Sequence, residues 1–197
     1  MSLPPTDGVE LRCPRPGACC RGRGFEADAG AATVIDDLAQ LFDATIDAER
    51  RAEEAYRALS AAFSYLPEVT DFWSRMADEE ARLARGVGVL RAELEPERLR
   101  RRLALAERDD AQAIVGPHAA RVLGRVRTLS DAYLFACRLE NADAHRLFAL
   151  LQRELMNFDP ARARKLTDLL ESQIELADFG LLLRDRPGLQ RAPARGL

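Results

Sequence analysis

Glu49, Glu80, Glu140 and Glu171 are the residues whose type and spacing could do chemistry in this chain. Thirty-one positions separate Glu49 from Glu80, and the same interval separates Glu140 from Glu171. Each acid falls on, or at the edge of, a line of residues that is otherwise apolar. Burying one ionised carboxylate without a partner costs several kcal/mol. Four carboxylates brought to one level of a core cannot all ionise unaided, because like charges raise one another's pKa. Two divalent cations would neutralise them. The other ways out are a proton, a hydrogen bond from Tyr56, an arginine such as Arg82, or small helix rotations that turn Glu80 and Glu171 to the rim.

The elements that must position these acids read as helices. Over residues 33–64, Ile35, Leu38, Phe42, Thr45, Glu49, Ala52, Tyr56, Leu59 and Phe63 step by three and four, which marks one face of a helix. Pro67 ends that pattern. A second helix follows with Thr70 or Asp71 as its expected N-cap and the seam Trp73, Met76, Glu80, Leu83, Val87 and Leu90. Gly86 and Gly88 cost this helix about 1 kcal/mol each, which suggests a closely packed neighbour. Residues 97–128 hold Arg98, Arg100, Arg101, Arg102 and Arg108 and a break at Gly116-Pro117, and read as a broken helical crossover with a solvated basic face. The third long helix is expected after Ser130 as N-cap, with Tyr133, Ala136, Cys137, Glu140, Leu147, Leu150 and Leu151 inward. The fourth, from Ala161 to about Leu183, carries Leu166, Leu170, Ile174, Ala177 and Leu181, with Glu171 at the edge of the stripe. No segment alternates with period two, so the expected fold class is all-α: four long helices with a long, partly helical crossover between the second and third. Glu140 and Glu171 each lie ninety-one positions after Glu49 and Glu80, so the two halves repeat in pattern.

Composition bounds the rest. With 197 residues, the chain suits one domain spanning 31–184, with a Cys/Gly/Pro/Arg-rich tail over 1–30 and a basic tail over 185–197. A net charge of −3 argues against general nucleic-acid binding, and the arginine run has no aromatic stacking partners for RNA. No apolar run is long enough to span a bilayer, and the first residues lack a secretory pattern, so the expected location is cytoplasmic, with no membrane partner. Cys13, Cys19 and Cys20 form C-x5-C-C, which lacks the paired knuckles of zinc and rubredoxin-type iron sites. Removing residues 1–30 would test a thiol-dependent role. Cys137 reads as a small core residue.

Taken together, these motifs resemble the ferritin-like superfamily, rubrerythrin type, over roughly residues 33–183. Glu49 followed seven residues later by Tyr56 matches that family's first helix. Glu79-Glu80-Ala81-Arg82-Leu83 stands where the family has Glu-Glu-x-x-His. Glu140 matches the acid of the third helix, Asp143 an additional acid three residues on, and Glu171 the acid of the fourth. The resemblance implies a ferritin-like four-helix bundle with Glu49, Glu80, Glu140, Asp143 and Glu171 as metal ligands and Tyr56 behind them. It implies two iron or manganese ions, peroxide or oxygen-linked iron chemistry as an oxidoreductase, an external redox partner and a homo-dimer or higher oligomer. The departures are specific. Leu83 and Ile174 occupy the two histidine positions, and the paired-knuckle rubredoxin module is missing. His118 lies in the crossover, and His145 is roughly 140° around the helix from Glu140. The remaining site is all-carboxylate, which suits harder cations, with Glu175 and Asp178 as substitute ligands. The alternative is a metal-free, non-catalytic bundle that acts as an interaction or structural protein.

Overall fold

A computed structural model describes residues 35–114, 123–140, 145–170 and 176–197. Residues 1–30 with Cys13, Cys19 and Cys20, the Gly116-Pro117 break, His118, Asp143, Glu171, Ile174 and Glu175 lie outside the described residues, as does the side chain of His145. Among the described residues the chain is all-helical, with no strand beyond two isolated bridges, Asp37 with Arg102 and Thr128 with Pro193. No helix among them is long and apolar enough to cross a membrane.

Helix α1 (Leu38–Ala62) begins where Asp37 can close a capping box. The Asp37 carboxylate accepts from Gln40 N at 2.9 Å, and the Gln40 side chain accepts from Asp37 N at 3.2 Å. Such a cap contributes about 1 kcal/mol. Every residue of the anticipated seam, from Ile35 to Phe63, is buried. Four residues then turn the chain into α2 (Pro67–Ala92), whose seam is likewise buried throughout. The start of α2 differs from expectation. Pro67 takes the first helical position, where its missing N–H is harmless, and Leu66 is the N-cap. Thr70 sits within the helix, its hydroxyl donating to Phe63 O and Leu66 O at 3.0 Å each. Gly86 has the close neighbour its presence suggested, since a Cβ there would meet Leu169 Cδ1 at 2.7 Å, whereas Gly88 has nothing within 4 Å.

The crossover opens with α3 (Pro96–Leu99) and α4 (Leu105–Ile114). Between them, residues 101–103 run beside the head of α1, with Leu38 N donating to Arg101 O and Leu103 N to Asp36 O, both at 3.0 Å. The arginines expected on a solvated face are largely exposed, and three of them also act as ties: Arg98 to Asp159 at 3.5 Å, Arg101 to Glu154 at 3.8 Å, and Arg108 to Asp36.

Helix α5 (Leu129–Leu139) is capped by Thr128 rather than Ser130, because Thr128 forms a capping box with Asp131. Then come α6 (His145–Phe158), α7 (Pro160–Leu170), α8 (Leu176–Asp185) and the short α9 (Pro187–Gln190). The inward face of α8 is not the anticipated one. Ala177 and Leu181 are exposed, while Phe179 and Leu183 are buried. Phe179 stacks on Phe72 with centroids 4.3 Å apart and meets Trp73 at 4.8 Å. Gly180 lets Tyr133 approach, since a Cβ would stand 2.6 Å from its hydroxyl.

The C-terminal segment, expected as a basic tail, packs back onto the helices. Leu129 N donates to Ala192 O, Ala194 N to Arg127 O and Arg195 N to Ala62 O. The Arg195 guanidinium lies 4.0 Å from the centre of the Tyr65 ring, whose hydroxyl donates to Pro193 O at 2.7 Å. Backbone groups left open at the ends of α1 and α5 supply the reason, because a passing strand can satisfy them.

α1 packs along α2, α6 against α1, and α7 against both α6 and α2, while α5 packs against α8. The buried apolar residues form two clusters. One holds Leu38 to Ala48 of α1, Leu83 to Leu94 at the end of α2, and the faces of α6 and α7. The other holds Ala52 to Phe63, Val69 to Ala77, and the faces of α5 and α8.

A carboxylate layer between two apolar cores

Glu49 and Glu80 lie where the two clusters divide. Ala48 belongs to one and Ala52 to the other; Leu83 belongs to the first and Ala77 to the second. Glu140, which caps α5, follows Cys137 of the second cluster and precedes Leu147 of the first. The core is therefore two apolar bodies with a layer of acids between them.

Glu49 is fully buried and Glu80 is 3% exposed, so neither has turned to the rim. Glu140 is half-buried. Tyr56, one helical face along from Glu49, is fully buried and donates its hydroxyl to Glu140 Oε1 at 2.5 Å. The tyrosine ring stacks on Trp73, with centroids 5.8 Å apart and planes 9° from parallel. Trp73 Nε1 is buried without an acceptor among the described residues. Three helices thus bring four of the anticipated residues, Glu49, Glu80, Glu140 and Tyr56, into one layer.

Burial pushes the Glu80 carboxyl up to about 12, helped by hydrogen bonding to Glu49 and by the charges of Glu49 and Glu140. Burial also raises the Tyr56 phenol well above its ordinary value, with Glu140 and Glu80 adding to the effect. Glu80 therefore carries a proton at neutral pH, and that proton makes a carboxyl–carboxylate hydrogen bond possible where two carboxylates would only repel. Among the described residues no conventional donor reaches Glu80 Oε2.

Arg82 lies within electrostatic reach of Glu80 and hydrogen-bonds to other groups. Arg82 turns to Glu79, with Nε 3.1 Å from Oε2 and Nη2 2.6 Å from Oε1, and Nη2 also donates to Leu169 O at 2.7 Å. The Arg82 side chain stays 36% exposed there, so its head keeps part of its water. Leu83, at the family's histidine position, is fully buried in the first apolar cluster. Asp178 is exposed. Among the described residues, no three His, Cys, Asp or Glu side chains are grouped to hold a metal ion. The donor chemistry is nevertheless that of an oxygen-ligated cation: buried carboxylates, one with an oxygen lacking a donor. Leu83 offers no imidazole at its position in this layer.

Sequence reasoning passed over a third buried acid among the described residues. Glu154 of α6 is 3% exposed and hydrogen-bonded to Glu107 of α4. The test that found Glu49 would have found it, since Glu154 continues the line Leu147, Leu150, Leu151 by three residues.

No protein-family model, no curated protein and no solved structure matches this chain.

Proposed function

We propose that the chain is a ferritin-like four-helix bundle built from α1, α2, the α5–α6 stretch and the α7–α8 stretch, and that its acid layer binds divalent cations in exchange for protons. The observation that carries this reading is the Glu49–Glu80–Glu140 layer lying between two separate apolar cores. A stability-driven core would fill that level with apolar side chains, because burying acids is costly. The residues flanking Glu171 divide in the same way, Leu170 packing on the first core and Leu176 on the second.

Glu49, Glu80 and Glu140 would hold the cations, with Asp143 and Glu171 completing the set. All-oxygen ligation favours manganese, magnesium or calcium over a metal that needs nitrogen. Bound iron or manganese would supply the peroxide or oxygen-linked chemistry of the family this chain resembles. The chain's own part is to exclude water from Glu49 and Glu80, and to fix Glu140 through the Tyr56 hydroxyl, which keeps its proton on Oη. An external redox partner and self-association through helix faces, in the cytoplasm, complete this reading.

A second reading rests on Leu83, which is packed in the apolar core where a ligand would stand. In that reading the acids share protons permanently and the bundle is a non-catalytic interaction or structural protein. Loading the protein with Mn(II) or Fe(II), desalting it and measuring metal content separates the two. About two ions per chain, the number that neutralises four carboxylates, lost in Glu49→Ala and Glu80→Gln, supports cation binding. A metal-free protein whose melting temperature does not respond to the cation decides for the second reading.

A further inference from the structure

Away from the central layer, Glu107 and Glu154 meet between α4 and α6. Glu154 is almost wholly buried and Glu107 largely so, and their carboxyl groups are hydrogen-bonded to each other. Glu107 also accepts from Arg153 Nε at 3.0 Å and from Ala104 N at 3.2 Å. Arg101 Nε stands 3.8 Å from Glu154 Oε2. Among the described side chains of α4, the remaining hold is light. Ala111 is its buried apolar residue among those described, Leu105 is 74% exposed, and Arg108 ties back to Asp36. The helix packs chiefly on α6.

We infer that the Glu107–Glu154 contact is a pH-responsive latch that fastens the crossover helix α4 onto α6, tight in mildly acidic solution and looser toward neutral pH. Two carboxyl groups from separate helices can hold one another only while one of them carries a proton. Burial pushes the Glu154 carboxyl up to about 7, Glu107 adds to this by hydrogen bond and charge, and Arg101 and Arg153 pull back. Glu107 is held below the usual carboxylate range by the hydrogen bond from Glu154, then by Ala104 N and Arg153. The other charged groups around α6 are engaged elsewhere. Asp36, beside α1, takes Arg108, and on α7 Arg162 takes Asp159 and Glu93 while Lys165 also takes Glu93.

The direction follows from proton counting. With α4 detached, Glu154 regains an ordinary glutamate ionisation near 4.5. Between that value and about 7 the closed latch holds one more proton than the open one, so rising pH favours opening. Above 7 both forms have lost the proton and the effect levels off. Glu107 acts oppositely, and only in acid below its ordinary range, where its protonation loosens the closed form.

Amide hydrogen exchange on the full chain tests this. Protection factors, taken relative to unstructured rates at each pH, are measured for residues 107–111 and for the middle of α1 between pH 5 and 7.5. In the wild-type protein, protection of the α4 amides should fall ~60-fold across that range, while α1 stays level. In Glu154→Gln the side-chain amide donates to Glu107 at every pH, so protection should stay high and flat. Glu107→Gln should likewise flatten the fall, which keeps the test available if the first variant folds poorly. Constant protection in wild type, an equal fall in both variants, or a parallel fall in α1 would overturn the latch.

Discussion

The central acid layer and the α4–α6 acid pair are built from the same side chain and behave differently. At the centre, Glu80 faces Glu49 and Glu140, the nearby Arg82 guanidinium is turned to Glu79, and the Glu80 carboxyl is pushed up to about 12. At the margin, Glu154 is as deeply buried but has Arg101 and Arg153 beside it, and its carboxyl rises only to about 7. Burial takes water from both. What differs is how the nearby arginines are engaged. Arginine reaches the margin because its head can stay half in water. At the centre the layer lies between apolar cores, and Arg82 hydrogen-bonds to Glu79 and Leu169 O instead. The central layer must therefore take protons or small cations, whereas the marginal pair can titrate near neutrality.

The largest expected effect tests the centre. Glu80→Gln removes an acid that keeps its proton in the folded protein while the unfolded chain releases it. Wild-type stability from this group is complete below its unfolded value of about 4.5 and is lost as pH rises above it. At pH 7, with cations chelated, the variant should be more stable by about 3 kcal/mol; at pH 4.5 the gain should vanish. Urea unfolding at both pH values reads this, and equal stability at pH 7 would mean that Glu80 is not held neutral.

Next in size is Tyr56→Phe. It deletes the hydroxyl bonded to Glu140 Oε1 and should destabilise the protein by about 2 kcal/mol, as for hydrogen bonds to charged groups. A loss below 0.5 kcal/mol, an order-of-magnitude threshold for surface-like substitutions, would show that Glu140 finds another donor.

Arg101→Ala sharpens the comparison from the margin. Without that guanidinium, Glu154 should move from about 7 toward the behaviour of Glu80, and its carbon-13 carboxyl resonance should titrate at higher pH. The stability cost should be about 1 kcal/mol. An unmoved titration would break the argument that arginine sets the difference. The smallest effect belongs to Arg153→Ala. Its half-exposed ion pair to Glu107 contributes ~0.5 kcal/mol, and thermal melts should show little change in low salt and less in high salt.

Much of this arrangement could be read from residue order. Spacings of three and four placed whole seams of α1 and α2 correctly, because a helix face is a local, periodic property. The same spacing put Glu49 and Glu80 inside, since a residue between two buried neighbours on one face has nowhere else to go. Tertiary structure decided what those residues do. Tyr56 chose Glu140, eighty-four positions away, and Arg82 took Glu79 and Leu169 O. The inward face of α8 was set by Phe179 meeting Phe72 and Trp73, and the C-terminal segment was seated by backbone groups open on α1 and α5. The sequence by itself determined an all-helical chain with acids in its interior. Only the packed structure decided which acid takes a proton, because that depends on which charges, donors and water distant segments bring within a few ångströms.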